Sequence, residues 1–238
     1  MSKQNVSFIP SSKDAEIFLP YPKPAIKYLP KWYKDMPPYL ATLDNSDVTG
    51  TGKLCMPFLD SFTNGYIQEL PCDLEISNYG LDENGNDIIN YKWAGPIRPC
   101  STRLEDQNAR KVLPSFNDYY ETEFHWISIW EPKTPVGYSA MYHHPSNRFD
   151  LPFQTLTGII DTDKWSIHGP VPFLIKKGFT GIIPAGTPIY QITFIKRENW
   201  ISKPEEYDEN FQKKHSYNIK KIFQGGYKKF YWSKKEYN

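Results

Sequence analysis

Between Gly137 and Arg197 the chain gathers a set of chemically versatile side chains: His143, His144, Ser146, Arg148, Asp150, Asp161, Lys164, His168 and Gln191. Imidazoles beside a carboxylate are ligands for a divalent cation, so His143 or His144 with Asp150 and His168 is one candidate set. Neighbours on a strand face opposite ways, so at most one of the two adjacent histidines joins a shared site. The same stretch holds a polar turn, His144-Pro145-Ser146-Asn147-Arg148, and a corner, Gly158-Ile159-Ile160-Asp161-Thr162-Asp163. A second turn, Ile183-Pro184-Ala185-Gly186-Thr187-Pro188, runs into an alternating segment. Strands and corners in this order build a pocket in a compact β domain. No glutamate occurs between Gly137 and Arg197, so no glutamate general base is supplied there. A second chemistry belongs to the C-terminus. From Lys213 onward eight lysines stand against one acid, Glu236, and Tyr227 to Tyr237 interleaves lysines with aromatic rings. Such a pattern binds single-stranded nucleic acid by stacking and phosphate contact. It equally docks on an acidic protein surface, or forms a solvated helix face with its rings tucked inward.

The pocket stretch resembles the dUTPase and dCTP deaminase superfamily, whose domains share a β-clip architecture. In that family a Pro-Arg-Ser-Ser-like turn holds phosphates, where this chain has residues 144–148. The family corner Gly-x-x-Asp-x-x-Tyr-x-Gly is matched in its first half by Gly158 to Asp163, and the final strand Gly-x-x-Ile-Ala-Gln by Gly186 to Gln191. The resemblance covers about a quarter of the chain. It implies Asp161 as the group that orients water, Arg148 or Lys164 as a phosphate ligand, and Ser146 and Gln191 as further ligand contacts. Asp73, in Pro71-Cys72-Asp73-Leu74, takes the place of the metal-binding acid, with Mg²⁺ as the cofactor of that activity. The departures are chemical. Lys164-Trp165 stands where the corner tyrosine would be, the phosphate turn is altered, and the Gly-rich closing motif is absent. Gly181 to Thr187 also resembles a cupin turn, but no metal-ligating histidine follows it and no His-x-His precedes it. For Asp161 the alternative is a corner aspartate that caps its own turn.

A further resemblance rests on Pro30-Lys-Trp-Tyr-Lys34, Lys53-Leu-Cys-Met-Pro-Phe-Leu-Asp60 and Gly65-Tyr-Ile67. These look like a family of proteins of unassigned function found in tailed phages. It implies a virion component, assembled in the host cytoplasm with other protein subunits and forming a homo-oligomer, with no enzyme cofactor.

The elements that must position these residues follow from composition and punctuation. The chain has 238 residues, 39% hydrophobic and 16% aromatic, with 21 prolines and a net charge of +1. Aromatic side chains bury large areas each, so a sizeable core is available, while the even charge gives no global electrostatic signature. Cys55, Cys72 and Cys100 form no Cys-x-x-Cys pair, which reads as three reduced thiols. No N-terminal stretch reads as a signal peptide, and no run approaches roughly 18 apolar residues, so the expectation is a cytoplasmic chain with no membrane contact.

Seven prolines up to Pro38 exclude a long helix or central strand early in the chain. Residues 1–50 read as an extended aromatic arm, packed on its own domain or on a neighbouring subunit, with one helical turn near Lys31 to Lys34. Residues 51–200 read as a β core. Asn84-Gly85 is a strong hairpin signal, joining a strand that ends near Tyr79 to one from Ile88 to Trp93. Further strands are expected over Glu123–Trp130, Tyr138–Tyr142, Gln154–Asp161, Val171–Lys176, Thr180–Ile183 and Ile189–Lys196. Residues 201–238 read as a basic helical tail. Ser202 with Glu205 forms a capping box that predicts a helix over Lys203–His215, and a second is expected over Tyr217–Gln224. The fold class is therefore all-β, with a β-clip or barrel-like core, an extended N-terminal arm and a C-terminal helical tail. Two functions compete: a non-enzymatic assembly protein, and a nucleotide-hydrolysing enzyme using Asp161 and Asp73.

Overall fold

The computed structural model describes residues 4–107, 112–165, 169–220 and 225–237. In chain order it contains β1 (Ser7–Pro10), α1 (Lys13–Phe18), β2 (Lys23–Pro24), α2 (Lys31–Asp35), β3 (Tyr39–Ala41), β4 (Val48–Gly50), α3 (Met56–Thr63) and β5 (Tyr66–Glu69). Then follow β6 (Leu74–Leu81), β7 (Asp87–Trp93), β8 (Cys100–Thr102), α4 (Arg103–Gln107), β9 (Phe124–Trp126), β10 (Trp130–Lys133) and β11 (Tyr138–His143). The last elements are β12 (Phe153–Thr155), β13 (Gly158–Ile160), β14 (Val171–Ile175), β15 (Gly181–Ile183), β16 (Pro188–Lys196), α5 (Glu209–Lys220) and α6 (Gly226–Phe230). Strand accounts for 33% of the chain and helix for 20%, so the protein is β-rich. Among the described residues no sheet closes into a barrel.

Two compact units are interleaved in sequence. Residues 1–24 and 65–197 form the first, and 25–64 with 198–238 form the second. The first 24 residues of the proline-rich segment thus belong to the β unit, and the rest of that segment groups with the C-terminal residues.

Among the described residues the first unit holds four sheets. Their strand orders are β13-β11-β16-β5-β2, β12-β14-β9-β8, β15-β6-β7 and β1-β10. The core forms where the three larger sheets meet. The five-stranded sheet contributes Ala140, Tyr142, Tyr190 and Ile192, the four-stranded sheet Phe124, Trp126, Phe153 and Phe173, and the three-stranded sheet Leu74, Ile76 and Ile183. Alternation along β11 and β16 turns these residues inward on one face, as the side-chain period of two requires. Trp126 stacks on Phe173 at 3.6 Å between ring centroids and 4° between planes. Its indole N–H donates to Thr155 Oγ1 at 3.0 Å, and Thr155 Oγ1 donates onward to the Ile189 carbonyl at 2.6 Å. That chain of donors ties the four-stranded sheet to β16 with every buried polar atom in it partnered.

Two strand expectations change. Residues 154–161 do not form one strand: after Leu156 N–H makes a last rung to the Pro172 carbonyl at 2.8 Å, the chain crosses from β12 to β13 in a different sheet. Residues 123–130 likewise break: β9 ends at Trp126 in the four-stranded sheet, and Trp130 opens β10, which pairs with β1.

In the second unit Trp32, Tyr33, Phe58 and Phe62 form an aromatic nest that joins α2 to α3, with centroids of 4.8 Å for Tyr33–Phe62 and 5.0 Å for Phe58–Phe62. The β3–β4 hairpin lies in the same unit. The helix expected from Lys203 begins at Glu209 instead, where Asp208 Oδ1 accepts the Phe211 N–H at 3.0 Å and caps the helix. Of the second expected helix, Tyr217 to Lys220 continue α5, and residues 221–224 lie outside the described residues. Gly226 opens α6 where it meets Ile219: a Cβ there would lie 2.6 Å from the Ile219 carbonyl oxygen.

Candidate functional site

The polar turn after β11 is built by short-range bonds. Arg148 N–H donates to the Pro145 carbonyl at 3.2 Å, Leu151 N–H to the Arg148 carbonyl at 3.3 Å, and Asn147 adopts φ +57°. Left-handed backbone suits asparagine among the larger residues. Ser146 N–H donates to Gln191 Oε1 at 2.9 Å, so two of the expected ligand contacts do meet, but as a bond that pins the turn to β16. Arg148 forks onto Asp150, with Nε–Oδ1 and Nη2–Oδ2 both at 2.8 Å. These bonds hold the Asp150 carboxyl below the usual carboxylate range.

His144 is fixed in one tautomer. Thr155 N–H donates to its Nδ1 at 3.2 Å, so Nε2 carries the proton that bonds the Arg148 carbonyl at 3.1 Å. Both nitrogens are thereby used, and burial lowers the ring's basicity. His143 directs Nδ1 to the His144 carbonyl at 2.8 Å, and burial lowers its basicity too. His168 lies outside the described residues. Among the described residues no three His, Cys, Asp or Glu side chains converge as a metal-ion cluster.

The second turn faces the first. Gly186 N–H bonds the Leu70 carbonyl at 2.8 Å, Leu70 N–H the Thr187 carbonyl at 2.7 Å, and Thr187 Oγ1 the Pro184 carbonyl at 2.6 Å. Asp73 Oδ1 accepts the Ala185 N–H at 2.7 Å. Asp73 therefore braces this turn with its carboxylate. Between the two turns opens a groove of about 610 Å³, lined by Arg148, Asp150, Phe179, Ile182, Pro184 and Pro188 among others.

Asp161 and Lys164 lie at the other end of β11. Ile160 pairs with Ala140, whereas His143, which leads into the polar turn, pairs with Gln191. At about 3.3 Å per residue, Ala140 and His143 alone are separated by roughly 10 Å, and the turns extend away from each. Asp161 Oδ1 accepts from Ser139 Oγ at 2.7 Å and lies 3.3 Å from Arg197 Nη1. Arg197 Nη1 also donates to the Tyr138 carbonyl at 2.8 Å, while Nη2 bonds Asp163 Oδ2. Asp163 Oδ2 further accepts the Gly137 N–H at 2.8 Å. The Arg197 bond, followed by the Gly137 amide, holds the Asp163 carboxyl down to about 2. Lys164 is exposed, and its backbone N–H closes the corner on the Asp161 carbonyl at 2.9 Å.

The structure thus brings Ser146, Arg148 and Gln191 together, places Asp73 behind the facing turn, and separates all of them from Asp161 and Lys164. Sequence reasoning passed over Ser139, Asp163 and Arg197. The Asp-Thr-Asp spacing of the corner was the local signal available for Asp163; its partners are distant in sequence.

In the second unit, several tail lysines have carboxylate partners: Lys213 with Glu209 at 2.9 Å, Lys234 with Glu236 at 2.7 Å, and Lys235 with Asp60. Among the described residues Lys214, Lys228 and Lys229 form no ion pair and are exposed. None of the helices, over the same residues, is long and apolar enough to cross a membrane. Comparison of the chain with protein-family models and with curated proteins finds no match.

Proposed function

We propose that this chain is a non-enzymatic structural protein that assembles with other protein subunits, and that the particle it serves is a tailed-phage head or tail. The reading is carried by the separation of Asp161 from Arg148 at the two ends of β11, each already bonded to protein partners. Catalysis requires its groups within bonding reach of one reacting centre. Here the acid expected to orient water braces Ser139 and Arg197, and the guanidinium expected to hold phosphate is occupied by Asp150. The order of β11, turn, β13, β15, turn and β16 supports a clip-like scaffold shared with nucleotide enzymes and turned to building. Fold alone does not carry an activity. The particle assignment rests on the sequence resemblance of residues 30–34, 53–60 and 65–67. Assembly in a host cytoplasm follows from it.

The test is direct. Purified protein is incubated with a panel of deoxynucleoside triphosphates and Mg²⁺, and pyrophosphate and ammonia are measured. No turnover above buffer is expected. Turnover that disappears in Asp161→Asn would establish a nucleotide hydrolase and overturn the structural reading. Mass spectrometry of purified virions is expected to recover the chain, and its absence there would remove the particle assignment.

A further inference from the structure

Residues 198–208 form neither helix nor strand, and every one of them is exposed. Trp200 is 86% exposed, Ile201 97% and Tyr207 78%. Large apolar side chains grouped on one strap in this way mark a contact surface rather than ordinary scatter. The strap is also acidic: after Lys203 come Glu205, Glu206 and Asp208, and Glu209 opens α5. Within the chain the partners of these charges are local and solvent-exposed. Glu205 lies 4.0 Å from Lys203, and Glu209 pairs with Lys213 one helical turn away. Asp208 caps α5.

The complementary surface is on α5 and α6. Lys214, Lys228 and Lys229 are exposed and form no ion pair among the described residues. Around them Phe211, Tyr217, Tyr227 and Phe230 are 40–63% exposed. The two helices hold a fixed relation: Asn218 Nδ2 bonds the Tyr231 hydroxyl at 3.1 Å, and His215 stacks on Tyr231 at 5.1 Å. The basic aromatic face is therefore preformed, and a preformed face loses less entropy on binding.

We propose that the strap of one copy docks on the α5–α6 face of a second copy, its carboxylates against Lys214, Lys228 and Lys229 and its Trp200-Ile201 pair against the exposed rings. The contact rests on the assembly reading above and names its partner: this same chain. Strap and face are different patches, so the contact is heterologous and propagates from copy to copy into a ring or an open row. Opposite charges set partner and register, and the indole and isoleucine supply most of the buried area.

Sedimentation velocity of the full chain over a concentration series tests it. Wild type is expected to self-associate with a Kd on the order of 10–100 μM and to dissociate as salt rises. Glu205→Lys with Glu206→Lys, and separately Lys214→Glu with Lys228→Glu and Lys229→Glu, should each weaken self-association roughly tenfold or more. Mixing the two reversed variants should restore it, because each then offers what the other lacks. That recovery also shows that both are folded. A wild type that stays monomeric, variants that associate as wild type does, or a mixture with no recovery would each overturn the contact. So would lysine reversal that abolishes binding of a single-stranded oligonucleotide while self-association persists. A monomeric chain recovered from purified particles overturns this contact alone and leaves the assembly reading intact. A chain that self-associates through these charges yet turns over nucleotide supports the contact and overturns the assembly reading.

Discussion

Trp232 directs its indole N–H at both carboxylate oxygens of Asp60, at 3.1 and 3.0 Å, and so fastens the C-terminal residues to α3. Lys235 bonds the same carboxylate, and the Tyr237 hydroxyl donates to Asn64 Oδ1. Hydrogen bonds to a charged group contribute about 1.5–3 kcal/mol each when shielded from water, and Asp60 is partly exposed, so the lower end applies. Asp60→Ala should release residues 231–237 and cost the second unit about 1–2 kcal/mol. Tryptic cleavage after Lys234 and Lys235 is the readout. Faster cleavage in Asp60→Ala, with Asp60→Asn between it and wild type, is expected; equal rates in all three would refute the tether.

Gly65 adopts φ +75°, and a Cβ built on it would sit 2.0 Å from the Ile192 carbonyl oxygen. Both the backbone conformation and the space demand glycine, because β5 passes directly against β16 at this residue. Gly65→Ala should therefore cost roughly 3 kcal/mol or more, by forcing the two strands apart. Gly158→Ala is the control, since a Cβ there meets nothing within 4 Å. Urea unfolding of the two variants should differ by several-fold in lost stability. Similar midpoints would show that the strands yield where the geometry says they are fixed.

The neutral His144 ring, clasped by Thr155 and Arg148, makes stability depend on pH. Burial sets its folded pKa, and that of His143, below the ordinary value. The unfolded state then binds protons first. Stability is full above the unfolded histidine value of about 6.5 and falls as pH drops below it. Asp163, held at about 2 by Arg197, acts separately: its contribution is present above roughly pH 4 and is lost as pH falls toward 2. The urea midpoint should decline on both limbs. His143→Asn with His144→Asn should flatten the upper limb and leave the lower one, whereas Asp163→Asn should lessen the lower limb, to which Asp150 also contributes, and leave the upper one. A midpoint flat from pH 7 to about 5 in wild type would refute the buried-imidazole account.

Local order was readable and long-range partnership was not. The β6–β7 hairpin follows from Asn84-Gly85, where Gly85 takes φ +81°, and β11, β14 and β16 follow from alternation and flanking turns. Each is decided by neighbours in sequence. The breaks in 123–130 and 154–161 fall where the chain passes from one sheet to another, and no pattern within the segment encodes them. The C-terminal helix shows two local signals in competition: Ser202 with Glu205 promised a start, and Asp208 made it. At the candidate site Ser146 and Gln191 meet through the bond that pins the turn to β16, a pairing across tens of residues that the sequence does not show. Asp161's role was left open between water and corner, since its partners Ser139 and Arg197 come from β11 and from the end of β16, tens of residues away.

Glu131 is a buried carboxylate that accepts the Tyr142 hydroxyl at 2.6 Å and the Gly169 N–H at 3.3 Å. Burial, and then the charge of Glu131, push the Tyr142 phenol far above its ordinary pKa, so the hydroxyl stays a donor throughout the accessible pH range. Tyr142→Phe keeps the ring in the core but strips a buried anion of a short bond, which should cost about 1–3 kcal/mol. Glu131→Leu removes the anion and leaves a buried hydroxyl without its acceptor, a loss of similar size. The double variant removes both ends of the bond. A buried polar pair replaced whole by apolar groups costs less than either half-pair suggests, so the double should lose clearly less than the sum of the singles. Urea unfolding of the four proteins measures this coupling, and strictly additive losses would show that the two groups act independently.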